Sequence, residues 1–328
     1  MALCKLAAAT CLTAALLALT AHGAWSQQAA SPQAGKTIKI IVPYSPGNGP
    51  DILARLLGQQ VALAHGPNVV IENRPGGGAM IGADAAARST PDGTTLLLAA
   101  PALVINDALK RPSSTPVGSF DPVCQFAATP MILVVRGDSP YKTLDDLLVE
   151  ARAKPGELQL VSGGPATSLH VAIEVIKRAA SVSMTYVPYG GTAPAINALM
   201  GAHVTAVMSD YPTIVSQLQS GTLRPLVTIS DKRVASLPHV PTLAETGLVK
   251  YDADIFYGLV APAKTPPAVM AQLIDMFTAA AKTPEAKAKF EQLGLFGADR
   301  CGADWGAYLN KQVADYARIT RESNIKAD

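Results

Sequence analysis

The stretch Ile41–Leu57, IVPYSPGNGPDILARLL, decides the reading of the fold. Lys36–Val42 has the β-branched density of a buried strand. Pro43 ends the ladder because it has no N–H to donate. Pro46, Gly47, Asn48 and Gly49 are turn chemistry, and Pro50 suits the first helical position, where a missing N–H costs nothing. Ile52, Leu53, Leu56 and Leu57 then recur at helical spacing. A strand–glycine loop–helix unit of this kind aims backbone N–H groups and the positive end of a helix at one point. That point favours an anion.

Working outward, Tyr186–Pro194, YVPYGGTAP, repeats the pattern: Val-Pro-Tyr, glycine, then a proline before an apolar helix at Ala195–Met200. Two readings stand: the units face each other across a cleft with Tyr44 and Tyr189 in it, or each is an ordinary βα loop with its tyrosine in the core. A third unit follows the strand Leu158–Val161, where Ser162–Ser168 adds hydroxyls to glycines ahead of a helix at Leu169–Ala180. Elsewhere short apolar runs (68–71, 94–99, 131–135, 203–209, 226–229, 255–261) alternate with helical patterns (79–88, 147–153, 213–219, 268–281, 285–293, 305–323). Such alternation argues an α/β fold with largely parallel sheets. Thr143–Asp146 resembles a capping arrangement, and Pro238–Gly247 reads as a loop with a short helix. Gly76–Gly78 fits neither G-x-G-x-x-G nor G-x-x-x-x-G-K-[ST] and is read as a turn before a helix.

The first residues read as a targeting segment. Lys5 precedes an apolar run, Leu6–Leu19, and small residues follow at Ala21, Gly23 and Ala24, the pattern of a secretory signal peptide over about residues 1–28. The run is shorter than the ~18–20 apolar residues of a membrane span. The chain has 328 residues, 49% hydrophobic and 16% charged, enough for two domains with buried cores. Its formal net charge of +2, falling by one when Lys5 leaves, gives no electrostatic case for nucleic acid or an anionic membrane. Of four cysteines, Cys4 and Cys11 depart with the leader. Cys124 and Cys301 remain as one possible pair in a compartment that permits disulfides, and the sequence leaves their pairing open.

Several chemistries find no motif. There is no G-x-S-x-G elbow, no H-E-x-x-H and no C-x-x-C, so no metal, cofactor or catalytic residue is assigned. The histidines are isolated. His170 alone falls at a helix start beside a candidate loop, where a structural, hydrogen-bonded role competes with ligand contact. Asp51 sits in a first helical turn, where it can answer the helix dipole.

Taken in order, IVPYSPGNGPDILARLL, VVIENRPGGG, PDGTTLLLA, LHVAIE, VPYGGTAPA, LRPLVTISDKR, LPHVPTLAETG and FYGLVAPAKTP resemble the substrate-binding proteins of tripartite tricarboxylate transporters, the Bug family of extracytoplasmic solute receptors. The resemblance spans nearly all of Lys36–Ile325. It implies a periplasmic-binding-protein-like type II fold, two α/β lobes joined by crossover strands around a ligand cleft. Lobe 1 would take residues 36–125 and 229–328, lobe 2 residues 126–228. Carried over by position, the ligand-binding residues would be Tyr44, Ser45, Pro46, Gly47, Asn48 and Asp51 from the first loop. The second would supply Ser162, Gly163, Gly164, Thr167, Ser168 and His170, and the third Tyr189, Gly190, Gly191, Thr192 and Ala193. Asp210, Phe256 and Tyr257 would flank the cleft. The chain departs from the family pattern at Asn48–Pro50, at Pro165–Ala166 where Asn-Gly is common, at Gly190 and at Phe256.

The expectation is therefore a periplasmic, monomeric solute receptor and not an enzyme. It would hold a small organic acid through loop N–H groups, without an arginine, and deliver it to membrane permease subunits. Two alternatives stand beside it: a module that reports ligand occupancy to a membrane signalling partner, and an exported hydrolase built on Ser162, His170 and Asp210.

Overall fold

The structure is a computed structural model that describes residues 36–322 and 325, except 65, 113, 231, 250, 252 and 253. The expected signal peptide lies outside the described residues. The chain forms two sheets. The first has six strands in the order β11-β4-β10-β3-β1-β2, the second five in the order β7-β6-β8-β5-β9.

In the first sheet β1 (Ile38–Val42) lies between β2 (Val69–Asn73) and β3 (Thr95–Ala99) and is parallel to both. Ile38, Ile40, Ile41 and Val42 are all buried, as expected of a parallel strand covered on both faces. Helix α1 (Gly49–Leu63) follows β1, and Asn48 caps it by accepting the Asp51 N–H at 3.2 Å. Helix α2 (Met80–Ala87) follows β2 through a short 3-10 turn at Gly77–Ala79, and α3 (Pro101–Ala108) follows β3. Strand β2 extends through Glu72 and Asn73, two residues past the apolar run 68–71 read from the sequence.

The chain then leaves along β4 (Phe120–Thr129), crosses at Pro130, and enters the second sheet as β5 (Met131–Arg136). The expected boundary at residue 125 falls inside β4. Helix α4 (Leu144–Ala153) opens with a capping box between Thr143 and Asp146. Strands β6 (Gln159–Ser162), β7 (Thr185–Pro188) and β8 (Ala206–Asp210) are parallel, with β6 between the other two. Each is followed by a helix: α5 (Ser168–Ala179), α6 (Thr192–Met200) and α7 (Tyr211–Gln219). Strand β9 (Leu223–Ile229) closes the sheet, and residues 230–254 lead back to the first. Residues 238–247 form turns, not a helix; Thr242 bridges to Thr228 in their place. His203 precedes β8 instead of opening it.

Back in the first sheet, β10 (Ile255–Pro262) runs antiparallel to both β3 and β4. Helices α8 (Pro267–Ala281) and α9 (Pro284–Gln292), strand β11 (Phe296–Cys301) and helix α10 (Gly302–Glu322) complete the chain. Trp305, Leu309, Tyr316 and Thr320 line one buried face of α10. The sheets are thus mixed, not largely parallel: β4, β5, β9, β10 and β11 all take part in antiparallel pairs. The reason is connectivity, since strands that carry the chain out of one lobe and back need no right-handed crossover helix. Cys124 and Cys301, directly opposite on β4 and β11, are joined in a disulfide.

Candidate functional site

Six parallel strands, three in each sheet, end at one place. Residues from the segments after β1 (within 43–50), β2 (75–79), β3 (100–102), β6 (within 163–169) and β7 (189–192), with Asp210 at the end of β8, line a single cavity of about 230 Å³. Open α/β sheets place ligands outside the carboxyl ends of their strands, and here two sheets do so face to face.

The lobes are closed on this cavity. Ser45 Oγ donates to the Gly190 carbonyl at 3.2 Å, joining the first and third loops across the cleft. The Gly49 N–H donates to Asp210 Oδ2 at 3.0 Å, and the Tyr257 hydroxyl reaches the same oxygen at 3.2 Å. Thr213 Oγ donates to Asp210 Oδ1 at 2.8 Å and Oδ2 at 2.9 Å. Burial pushes the Asp210 carboxyl above its ordinary range, while Thr213, Tyr257 and the Gly49 N–H pull in the other direction.

This arrangement alters the reading of the first loop. The positive end of α1, expected to meet a ligand anion, meets Asp210 of the other lobe. Gly49 N–H is bonded to Asp210, Pro50 has none, and the Asp51 N–H is held by Asn48. The N-termini of α5 and α6 open differently: Thr167, Ser168 and Leu169 of the one, and Gly191 and Thr192 of the other, lie on the cavity wall. The anion-favouring field of the second lobe is therefore directed at the cavity.

Of the residues anticipated from sequence, Tyr44, Ser45, Asn48, Gly163, Gly164, Thr167, Ser168, Tyr189, Gly190, Gly191, Thr192, Asp210 and Tyr257 line the cavity. Pro46, Gly47, Asp51, Ser162, His170, Ala193 and Phe256 stand behind it. Asp51 braces the first loop: its carboxylate accepts from the Gly47 N–H, Arg55 Nε and Asn73 Nδ2, each at 2.9 Å. Burial works against its charge, but those donors outweigh it and hold the carboxyl below its usual range. Ser162 Oγ lies 2.9 Å from the Tyr186 hydroxyl, which donates to the Gly164 carbonyl at 2.9 Å. Burial pushes the Tyr186 hydroxyl up to about 12. The His170 ring stacks on Tyr186 at 4.0 Å between centroids, and its Nδ1 accepts the Ala166 N–H at 3.3 Å. Phe256 faces away because successive strand residues alternate sides; it packs edge-on against Trp305 and Tyr308.

Other lining residues lie outside the anticipated set: Pro43, Pro50, Pro75, Gly76–Ala79, Ala100–Ala102, Arg111, Pro165, Leu169 and Ile255. Two of these stretches had a signal. Gly76–Gly78 follows a strand and precedes a helix, as the first loop does, and Pro101 repeats the first-turn helix proline of Pro50. Arg111 had none: it lies in Lys110–Gly118, a stretch rich in Pro, Ser and Thr whose composition reads as a surface loop. Arg111 adds a cation to a cavity whose expected anion-holding groups are loop N–H groups.

The comparisons with known proteins agree with this architecture. Residues 53–325 match the family model described as a tripartite tricarboxylate transporter family receptor. A Cupriavidus necator protein described as a UPF0065 protein in the gbd 5' region is 34% identical over 285 residues, 84% of each chain. Protein BugT of Bordetella pertussis is 28% identical over 294 residues, 89% of this chain and 90% of that one. An R. palustris protein solved with adipate superposes with a TM-score of 0.85 at 27% identity, covering 89% of this chain and 98% of that one. No described helix is long and apolar enough to cross a membrane.

Proposed function

Because the chain belongs to the tripartite tricarboxylate transporter receptor family, we propose that it is an exported receptor whose two lobes close on a small organic acid. The observation that carries this reading is the cavity between the sheets, walled on one side by the N-termini of α5 and α6. Two helix N-termini supply oriented N–H groups and a fixed positive field at no cost of reorganisation. The ligand carboxylate would meet Thr167 and Ser168 on one loop and Gly191 and Thr192 on the next, while Tyr44 and Tyr189 supply flat walls. The adipate held by the R. palustris relative is an acid of suitable size. Ligand entering an open form would shift the population towards the closed one, in which Ser45 meets Gly190 and Gly49 meets Asp210. A permease that recognises the closed pair of lobes would then receive the ligand. The Cys124–Cys301 bridge supports export, since such bonds persist outside the cytoplasm.

A thermal-shift panel of residues 36–328 with aliphatic and aromatic acids, and the amide of each acid, tests the reading. A ligand at 100 times its Kd stabilises the folded state by roughly 2.7 kcal/mol, a shift of several degrees. Stabilisation by an acid and not by its amide is expected. Stabilisation by neutral compounds alone would overturn the carboxylate assignment.

A further inference from the structure

Arg111 is the one cationic side chain among the described residues that line the cavity. It does not sit on a sheet. It lies just beyond α3 and is held by a short relay: its backbone N–H donates to the Asn106 carbonyl at 3.3 Å, and its Nη1 donates to Asn106 Oδ1 at 3.2 Å. Asn106 is itself buried and donates from Nδ2 to the Gly78 carbonyl at 2.7 Å. Asn106 therefore fixes the guanidinium beside Gly78. A methyl group at Gly78 would come within 3.1 Å of Arg111 Nη1 and 3.0 Å of the Pro165 carbonyl of the second lobe. The guanidinium thus stands at the seam between the lobes, on the first-lobe side.

The charges around the cavity are then distributed in a definite way. The second lobe offers the N-termini of α5 and α6. The first lobe cannot offer the N-terminus of α1, because Asp210 already occupies it. Besides the N-terminus of α3 at Ala100–Ala102, what the first lobe offers an anion is the charge of Arg111. A guanidinium keeps its charge at any pH the protein meets, and its five donors in a fixed fork suit a carboxylate better than a point charge would. It can serve Asn106 and a ligand together.

We propose that Arg111 is a specificity-determining residue of this receptor, engaging a second anionic group on the ligand while the first is held at the N-termini of α5 and α6. The proposal rests on the carboxylate-receptor reading above. It gives the two lobes separate tasks: one anion-favouring wall each, so that a diacid draws them together and a monoacid of the same length satisfies one wall only. An arginine that merely ties the lobes would act on every ligand alike.

Calorimetric titration of residues 36–328 with α,ω-diacids of four to eight carbons, each paired with the monoacid of equal length, tests this. The wild-type protein is expected to bind its best diacid at least tenfold more tightly than the matched monoacid. Arg111→Gln should reduce that ratio to within twofold by weakening the diacid, leaving the monoacid nearly unchanged, and Arg111→Lys should restore part of it. Thermal unfolding without ligand, unchanged for both variants, shows that the fold is retained. Equal weakening of diacid and monoacid in Arg111→Gln, or no weakening of either, would overturn the role of Arg111 while leaving the receptor reading intact. A wild-type protein that binds acids but shows no diacid preference would do the same. Failure of the wild-type protein to bind any acid would overturn the receptor reading and this inference with it.

Discussion

The backbone N–H of Gly49, the first residue of α1, donates to Asp210 Oδ2, the last residue of β8, across the seam between the lobes at 3.0 Å. One buried carboxylate thereby fills a helix N-terminus of the opposite lobe and also accepts from Tyr257. The contact is close enough that a Cβ on Gly49 would lie 2.2 Å from Asp210 Oδ2 and 2.5 Å from the Tyr257 hydroxyl. Only a residue without a side chain permits it.

Removing the carboxylate should therefore loosen closure more than it disturbs either lobe. Asp210→Ala leaves the buried Tyr257 hydroxyl without its acceptor, at a cost of about 1–3 kcal/mol, and leaves the Gly49 N–H only its longer bond to Thr213 Oγ at 3.2 Å. The closed form escapes that cost by opening. Small-angle scattering of the liganded protein should show a larger radius of gyration, and ligand affinity should fall at least tenfold. Gly49→Ala should reproduce both effects by steric exclusion. Unchanged affinity in both variants would show that this contact does not govern closure.

Asp51 and Asp210 should give opposite pH dependences. The Asp51 carboxyl is depressed, so its contribution is complete above its unfolded value of about 4 and is lost as pH falls through the lower folded value. The Asp210 carboxyl is raised, so its contribution is complete below about 4 and is lost as pH rises through the folded value. In urea melts between pH 3 and 7, the stability gap between wild type and Asp51→Asn should widen with rising pH. The gap between wild type and Asp210→Asn should narrow over the same range. Parallel trends in the two variants would contradict the network drawn around one of them.

Ala166 in the second loop has φ of +52°, a left-handed conformation that costs an L-residue about 1–2 kcal/mol. The conformation is imposed by its neighbours: its N–H reaches His170 Nδ1, and Thr167 beside it caps α5. Ala166→Gly removes the strain but enlarges the freedom of the unfolded chain, an opposing effect of roughly 0.5–1 kcal/mol. The net expectation is a gain of about 0.5–1 kcal/mol in the urea midpoint analysis, with ligand affinity unchanged. A loss of stability would mean that the alanine methyl, which is buried, packs to better effect than its backbone strain costs.

Much of this arrangement is legible in the chain because local chemistry and final geometry coincide. A helix does open at Gly49–Pro50, Thr143 and Asp146 do form a capping box, and the two Val-Pro-Tyr loops do meet, through Ser45 and Gly190. What escapes is what long-range pairing decides. β4 contains Pro122, Gln125 and Thr129, which blur its apolar pattern, and its register with β10 shifts twice. β11, FGADRC, is an edge strand with no alternation to detect. The free helix end inferred at Gly49 is correct as local chemistry, but no local signal says that Asp210, 161 residues away, will fill it. Arg111 reaches the cavity through Asn106 and Gly78, a relay that exists only once α3 and the Gly77–Ala79 turn are packed.

The disulfide should matter for stability and not for binding. Cys124 and Cys301 are 177 residues apart, and the segment between them contains the whole second sheet. Closing so long a loop restricts the unfolded chain strongly, and removing a bridge of this kind costs about 2–5 kcal/mol. In a protein of this size that corresponds to roughly 3–8 °C in Tm. The bonded pair lies on β4 and β11 next to Thr278 of α8, and neither cysteine lines the cavity. The double variant Cys124→Ala, Cys301→Ala should therefore melt several degrees lower yet bind its ligand within twofold of wild type, and mass spectrometry of the untreated protein should show it two hydrogens lighter than after reduction. A fall in affinity as large as the fall in stability would mean that the bridge also holds β10 in place, because Tyr257 reaches Asp210 from that strand and β4 is the neighbour that positions it.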